Sequence, residues 1–360
     1  MRQLILLFGF VLLLAGCNDE PQQSQLATKK LVQEEPQKPT HTTPTFRHAG
    51  QLYAKSNTII DIQPNKILKA GGNVKDILVT SDRLYTGTDG GLIDVFDLQS
   101  YELLEQIKIP SFHNKIYDQE VTSTVYSLDK FGDKIIIICS DTESSKSLYL
   151  YEKGQLKKIK AIDNSFAATK VRFVDENHVM LGLLSNEIVL YDLAKDEIVY
   201  RTNLSESYFS DMALSADKKK VVIGCESGIV YMVDVQTGLL KSVIQGGNKD
   251  KSFKVDISHD LVLSAGQDSL GIIYNLATDS YKSTKTNFLI YAGALSPDGS
   301  KAAFSFNEEN ALLIIDTKSN SRKSYLLSGQ KSTLNAIIFR DNKHLVSASD
   351  DEYIMLWELP

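Results

Sequence analysis

Residues 347–360 read SASDDEYIMLWELP and carry the chain's only tryptophan, Trp357. A strand ending in small residues, an acidic turn and an apolar strand closed by an aromatic and an acid follow one another here. The same order returns along the chain. GLIDVFDLQS, KSLYLYEKG, EIVLYDLAK, IVYMVDVQTG, GIIYNLATD and ALLIIDTKS all align with EYIMLWELP. Their polar anchors are Asp97, Glu152, Asp192, Asp234, Asn275, Asp316 and Glu358, at successive spacings of 55, 40, 42, 41, 41 and 42 residues.

Each unit places a first strand before a polar turn (LSADKKK, LSPDGSK, FRDNKH), then a strand ending small (VVIGC, LVSAS), an acidic turn, the aligned strand, another turn and a last strand. Short alternating segments with turn signals every 8 to 12 residues, and no helical periodicity, argue for an all-β array. Four strands in about 41 residues is the period of a propeller blade, so the sequence predicts a seven-bladed β-propeller. The long first interval is explained by PSFHNKIYDQE, residues 110–120, an insertion between units; such insertions fall in loops on one face.

The last unit lacks a fourth strand at its C-terminus. NKILKAGGN, residues 65–73, matches the close of a unit, as in KSVIQGGN, residues 241–248. The N-terminal strand is therefore expected to pair beside the strand of Trp357 and close the ring, which leaves few open edges. SNTIIDIQ, residues 56–63, is a further strand candidate, adding a fifth strand through a hairpin or contributing to an eighth blade.

SASDDEYIMLWEL resembles the end of a WD-repeat blade and SGQKSTLNAIIF, residues 328–339, resembles the start of one. That family usually has Gly-His where this chain has Gly329-Gln330, which puts the family's hydrogen-bond network around the histidine in question. MLGLLSNEIVLYDL, SAGQDSLGIIYNL, NFLIYAGALSPDG and SGQKSTLNAIIF also resemble the WD-repeat accessory protein encoded beside periplasmic nitrate reductase in some bacteria. The resemblance implies an exported, non-enzymatic protein whose partners are that reductase or its electron-transfer subunits.

The N-terminus has targeting grammar. Arg2, an apolar run from Leu4 to Leu14 and the small residues Ala15 and Gly16 precede Cys17, and the run is too short to span a membrane. Leu14-Ala15-Gly16-Cys17 resembles a bacterial lipobox, which implies acylation of Cys17, removal of residues 1–16 and attachment to the cell envelope facing the periplasm. Residues 17–45 read as the lipidated end of a flexible tether rich in Gln, Pro, Thr and Lys, with a reach of roughly 30 Å. Residues 46–360 are the expected propeller. Only Cys139 and Cys225 remain, both in apolar runs, so buried free thiols are expected rather than a disulfide scaffold.

Signals for chemistry are weak. The net charge of −6 argues against a nucleic-acid partner. GQDSLG (266–271) lacks the nucleophile-elbow spacing, and GGNKDKS (246–252) lacks the spacing of a phosphate-cradling loop. No histidine pair has metal spacing, and His113 with Asp118 and Glu120 is the one loop cluster that could meet a cation. The aligned positions show no ring of inward carboxylates, Asn or His. The expectation is no enzyme, no metal, no cofactor and a monomer.

Surface patterning is more informative. The turns between second and third strands, which share one face of a propeller, carry Asp89, Asp141, Glu143, Glu187, Glu226, Asp268, Glu308, Glu309, Asp350, Asp351 and Glu352, with Lys146 the only base among them. Asp, Asn and Gly suit tight turns, which accounts for part of this. Aromatics recur on the same face: Phe166, Tyr208, Phe209, Phe253, Phe288 and Tyr291. An acidic rim around aromatic anchors fits a protein-binding face. The alternatives are a scaffold lipoprotein in outer-membrane protein assembly, or a propeller lactonase or hydrolase.

Overall fold

The computed structural model describes residues 46–53, 58–142, 145–159, 167–318 and 323–360, among which no helix occurs. Seven sheets form seven blades around an axis. Blades 1 to 6 comprise residues 74–108, 125–158, 168–203, 209–244, 252–285 and 293–327. Blade 7 comprises residues 334–358 together with Lys66–Lys69. Within each blade the strands run antiparallel from the innermost, A, to the outermost, D. Each A strand touches the next around the ring, and that of blade 7 touches that of blade 1, so the circle closes.

Burial follows position in the blade. B strands such as Lys134–Ser140 (KIIIICS) are packed on both faces and read as near-continuous apolar runs. Outer strands such as Glu197–Asn203 are mostly exposed. The core lies between blades: Ile136 and Leu148 of blade 2 pack with Val171, Leu181 and Tyr191 of blade 3. Such contact requires Gly182, where a Cβ would lie 2.3 Å from the ring of Phe209 in the next blade.

The repeated acids have a backbone role. Asp97 accepts from the N–H groups of Gln99 and Ser100 at 2.8 and 2.7 Å, and Asp192 from those of Ala194 and Lys195 at 2.9 and 3.0 Å. Asp234, Asn275 and Asp316 cap the same C–D turn through Thr237, Ala277 and Lys318. An Asx turn needs a short side chain with an acceptor at this position, which explains why Asp or Asn recurs. Glu152 precedes a two-residue turn with Lys153 and Gly154 both at positive φ. Glu358 has no C–D turn; its N–H donates to Asn65 Oδ1 at 2.7 Å.

That last bond belongs to the closure. Lys66–Lys69 pairs antiparallel with Tyr353–Glu358, Ile67 opposite Met355 and Leu68 opposite Ile354, and occupies the D position of blade 7. Of residues 56–63, the described 58–63 form neither a hairpin nor an eighth blade. Thr58–Ile62 instead runs parallel to Lys323–Leu327 as a fifth strand on blade 6. A further strand that the sequence did not reveal, Arg47–Gln51, runs parallel to Ser280–Lys285 on blade 5. The N-terminal segment thus pairs with three successive blades before the first A strand begins.

Gln330 takes the place of the missing histidine. Trp357 Nε1 donates to Ser347 Oγ at 2.8 Å, Gln330 Nε2 donates to the same oxygen at 2.6 Å, and Ser349 Oγ donates to Gln330 Oε1 at 2.8 Å. All four side chains are buried. An amide carries one acceptor and two donors, so it links both serines as an imidazole could.

Candidate functional site

Antiparallel order within the blades places the B–C turns and the connections between blades on one face, and the A–B and C–D turns on the other. The insertion lies on the B–C face and is an ordered hairpin, Phe112–Asn114 paired with Gln119–Val121. Asn114 Oδ1 accepts from the N–H groups of Ile116 and Tyr117 at 2.9 and 3.0 Å, and Ser123 Oγ donates to Pro110 O at 2.5 Å. The turn carries Ile116 and Tyr117 at its tip, 75% and 72% exposed. A groove of about 450 Å³ separates the hairpin from blade 2, lined by Phe112, Tyr117, Tyr126 and Lys146. Lys146 lies 4.1 Å from the centre of the Tyr126 ring.

The predicted aromatics divide. Tyr208 is 56% exposed, while Phe209, one residue on, is 4% exposed and belongs to the core between blades 3 and 4. Phe209 is therefore a packing residue, because the alternation of an inner strand turns neighbours to opposite sides. Phe253 and Tyr291 are half-buried with ring centres 4.9 Å apart, and Phe288 lies 6.1 Å from Tyr291. Phe166 and Glu143 lie outside the described residues.

Most of the acids on this face have internal work. Asp268 accepts from Asn248 Nδ2 at 2.9 Å, from the Leu270 N–H at 3.2 Å and from the Lys249 N–H at 2.8 Å. Asp89 binds Asn73 through both backbone and side chain, and Asp351 accepts from the Tyr353 N–H at 2.9 Å. Strands outside the turns bring bases to the others. Lys75 pairs with Asp350, Lys69 with Glu352 at 2.9 Å, Lys158 with Asp141 at 2.6 Å, and Arg201 with Glu187 through two bonds. The face is thus of mixed sign. The turns alone read as acidic because the compensating bases lie on flanking strands.

A second constellation was missed. The A strands project charge toward the axis: Asp76, Asp129, Lys170, Arg172, Asp211, Lys254 and Asp256 line a central cavity of about 350 Å³. The aligned C strands could not show it. Four carboxylates each reach the next blade. Asp76 accepts from the Leu128 N–H at 3.1 Å, Asp129 from Phe173 at 2.6 Å, Asp211 from Val255 at 3.3 Å and Asp256 from Leu295 at 2.7 Å. They satisfy backbone donors on the free inner edge of each sheet. Lys170 Nζ sits 3.3 Å from Asp76 and 3.5 Å from Asp211. Burial alone would raise the Asp76 pKa, yet Lys170 and Arg172 hold it below the usual range. Asp256 has no base within 4 Å among the described residues, and burial pushes its pKa up to about 6.

Other candidates resolve into structure. GQDSLG is the B–C turn of blade 5, with Ser269 at φ 61°, and GGNKDKS connects blades 4 and 5. Cys139 and Cys225 are buried free thiols, and burial raises Cys139 to about 12. His113 lies 3.1 Å from Asp118 and 3.5 Å from Glu120. Among the described residues no group of three or more His, Cys, Asp or Glu is placed to hold a metal ion. Cys17 lies outside the described residues. No family model matches the chain, and no curated protein matches it.

Proposed function

We propose that this propeller is a non-enzymatic interaction platform of the bacterial cell envelope, lipid-anchored through Cys17, that binds a protein partner on its B–C face. The observation that carries this reading is the ordered hairpin that holds Ile116 and Tyr117 at 75% and 72% exposure, on the same face as Tyr208 and the Phe253, Phe288 and Tyr291 cluster. Exposed aromatic and aliphatic side chains on a rigid support make favourable anchors. Salt-bridged acids around them contribute little affinity but tune encounter and specificity.

The partner is periplasmic nitrate reductase or one of its electron-transfer subunits, and the role is accessory or in maturation. The resemblance of the repeat segments to the accessory protein encoded beside that enzyme supports this assignment. In a strain lacking the gene, nitrate reduction should fall while the reductase polypeptide remains present. Unchanged nitrate reduction in that strain would rule the partner out.

A further inference from the structure

The axial cavity is divided in its chemistry. Blades 1 to 5 give it charged side chains, whereas blades 6 and 7 give it Leu295, Ala336, Ile338 and Phe339. The charged half is also unevenly satisfied. Each of the four carboxylates accepts a backbone N–H from the next blade, and Lys170 is held between Asp76 and Asp211. Arg172 donates to Ser127 Oγ and to the carbonyls of Leu128 and Val171.

Two ammonium groups that line the same cavity, Lys254 and Lys218, have no side-chain hydrogen bond and no ion pair among the described residues. Lys218 comes from the A–B turn of blade 4, so ammonium groups without a hydrogen-bond partner among the described residues extend from mid-channel to the A–B mouth, whereas Asp129 and Asp256, which lack ion pairs as well, are each engaged by a backbone N–H. Among the described residues the carboxylates form no group of three or more placed to hold a metal ion. Free cationic donors opposite an apolar wall, in a space of small-molecule size, match an anion that has an apolar body.

We propose that the axial cavity binds a small organic anion, its carboxylate or phosphate held by Lys254 and Lys218 and its apolar body against Leu295, Ala336, Ile338 and Phe339. The site lies on the axis and extends to Lys218 in an A–B turn, on the face opposite the hairpin, so it is distinct from the partner surface. Nothing in it calls for a reaction: the anion is bound, not transformed.

Calorimetric titration of the full chain carrying Cys17→Ser, so that no detergent is needed, tests this with benzoate and 4-phenylbutanoate against their amides. The carboxylates should bind at least about tenfold more tightly than the amides. Lys254→Met should weaken 4-phenylbutanoate by about tenfold. Ala336→Phe should abolish its binding, because the larger side chain fills the apolar half. Lys249→Met, on the opposite face, should leave it unchanged. Lys218→Met, at an exposed turn position, should also weaken binding and serves if Lys254→Met does not fold. Equal binding of carboxylates and amides, affinity that survives both lysine substitutions, or no binding of either carboxylate at millimolar concentration overturns the proposal.

Discussion

Ser347 accepts hydrogen bonds from both Trp357 Nε1 and Gln330 Nε2 in a fully buried setting. Ser347→Ala would leave two buried donors unpaired, and a loss of about 2 to 4 kcal/mol is expected in urea unfolding. Gly182→Ala would drive a Cβ into the Phe209 ring, and about 1 to 3 kcal/mol should be lost through overpacking. Asp256 offers a test by pH. Its folded pKa is raised to about 6, with Asp211 adding to burial and Arg172 opposing it. Between about pH 4 and 6 the folded state holds a proton that the unfolded chain has released, so this group's contribution to stability falls as pH rises through that window. Asp256→Asn keeps an acceptor for Leu295 without the charge. Relative to the parent, it should gain stability from pH 4.5 to pH 7.5 in denaturant titrations, and no relative gain would place the Asp256 pKa near its ordinary value. Five of the C–D anchors were legible because one role, the Asx turn, demands Asp or Asn in blade after blade, and Glu152 and Glu358 followed from the spacing alone. The channel was not. Its matched positions hold Asp76, Ser127, Lys170, Asp211, Lys254, Gly293 and Ala336, chemically unlike residues that leave no repeating signal.

At the scale of strands, closure by Lys66–Lys69 was readable because its sequence repeats the ending of blade 4. Thr58–Ile62 was readable as a strand but not as a parallel fifth one, since that pairing is fixed by the outer edge of blade 6 and not by anything in its own residues. Arg47–Gln51 left no trace, because a solvent-facing edge strand pairs through backbone groups and RHAGQ buries almost nothing. The two kinds of strand should therefore differ in importance. A chain beginning at residue 63 keeps the closing strand and is expected to fold, with a lower melting temperature from the stripped edges of blades 5 and 6. A chain beginning at residue 74 loses the D strand of blade 7, exposes the edge beside Trp357 and should unfold or aggregate. A chain beginning at residue 74 that melts like the full chain would contradict the closure.

For the whole molecule, ring geometry separates the two faces from the axial cavity. The N-terminal segment joins the propeller at Arg47, which pairs with Ser280 at the C–D end of blade 5, and so meets the face opposite the hairpin. The axial cavity lies between that face and the hairpin face. The most direct test is a crosslinking pull-down from solubilised envelope with three chains: the parent, Ile116→Asp with Tyr117→Asp at the hairpin tip, and Leu239→Asp, which places a charge at a position 63% exposed on the opposite face. If the hairpin face carries the partner, subunits of periplasmic nitrate reductase should be enriched by the parent and by Leu239→Asp and lost with the hairpin variant. Equal capture by the hairpin variant, or no enrichment by the parent, would contradict it.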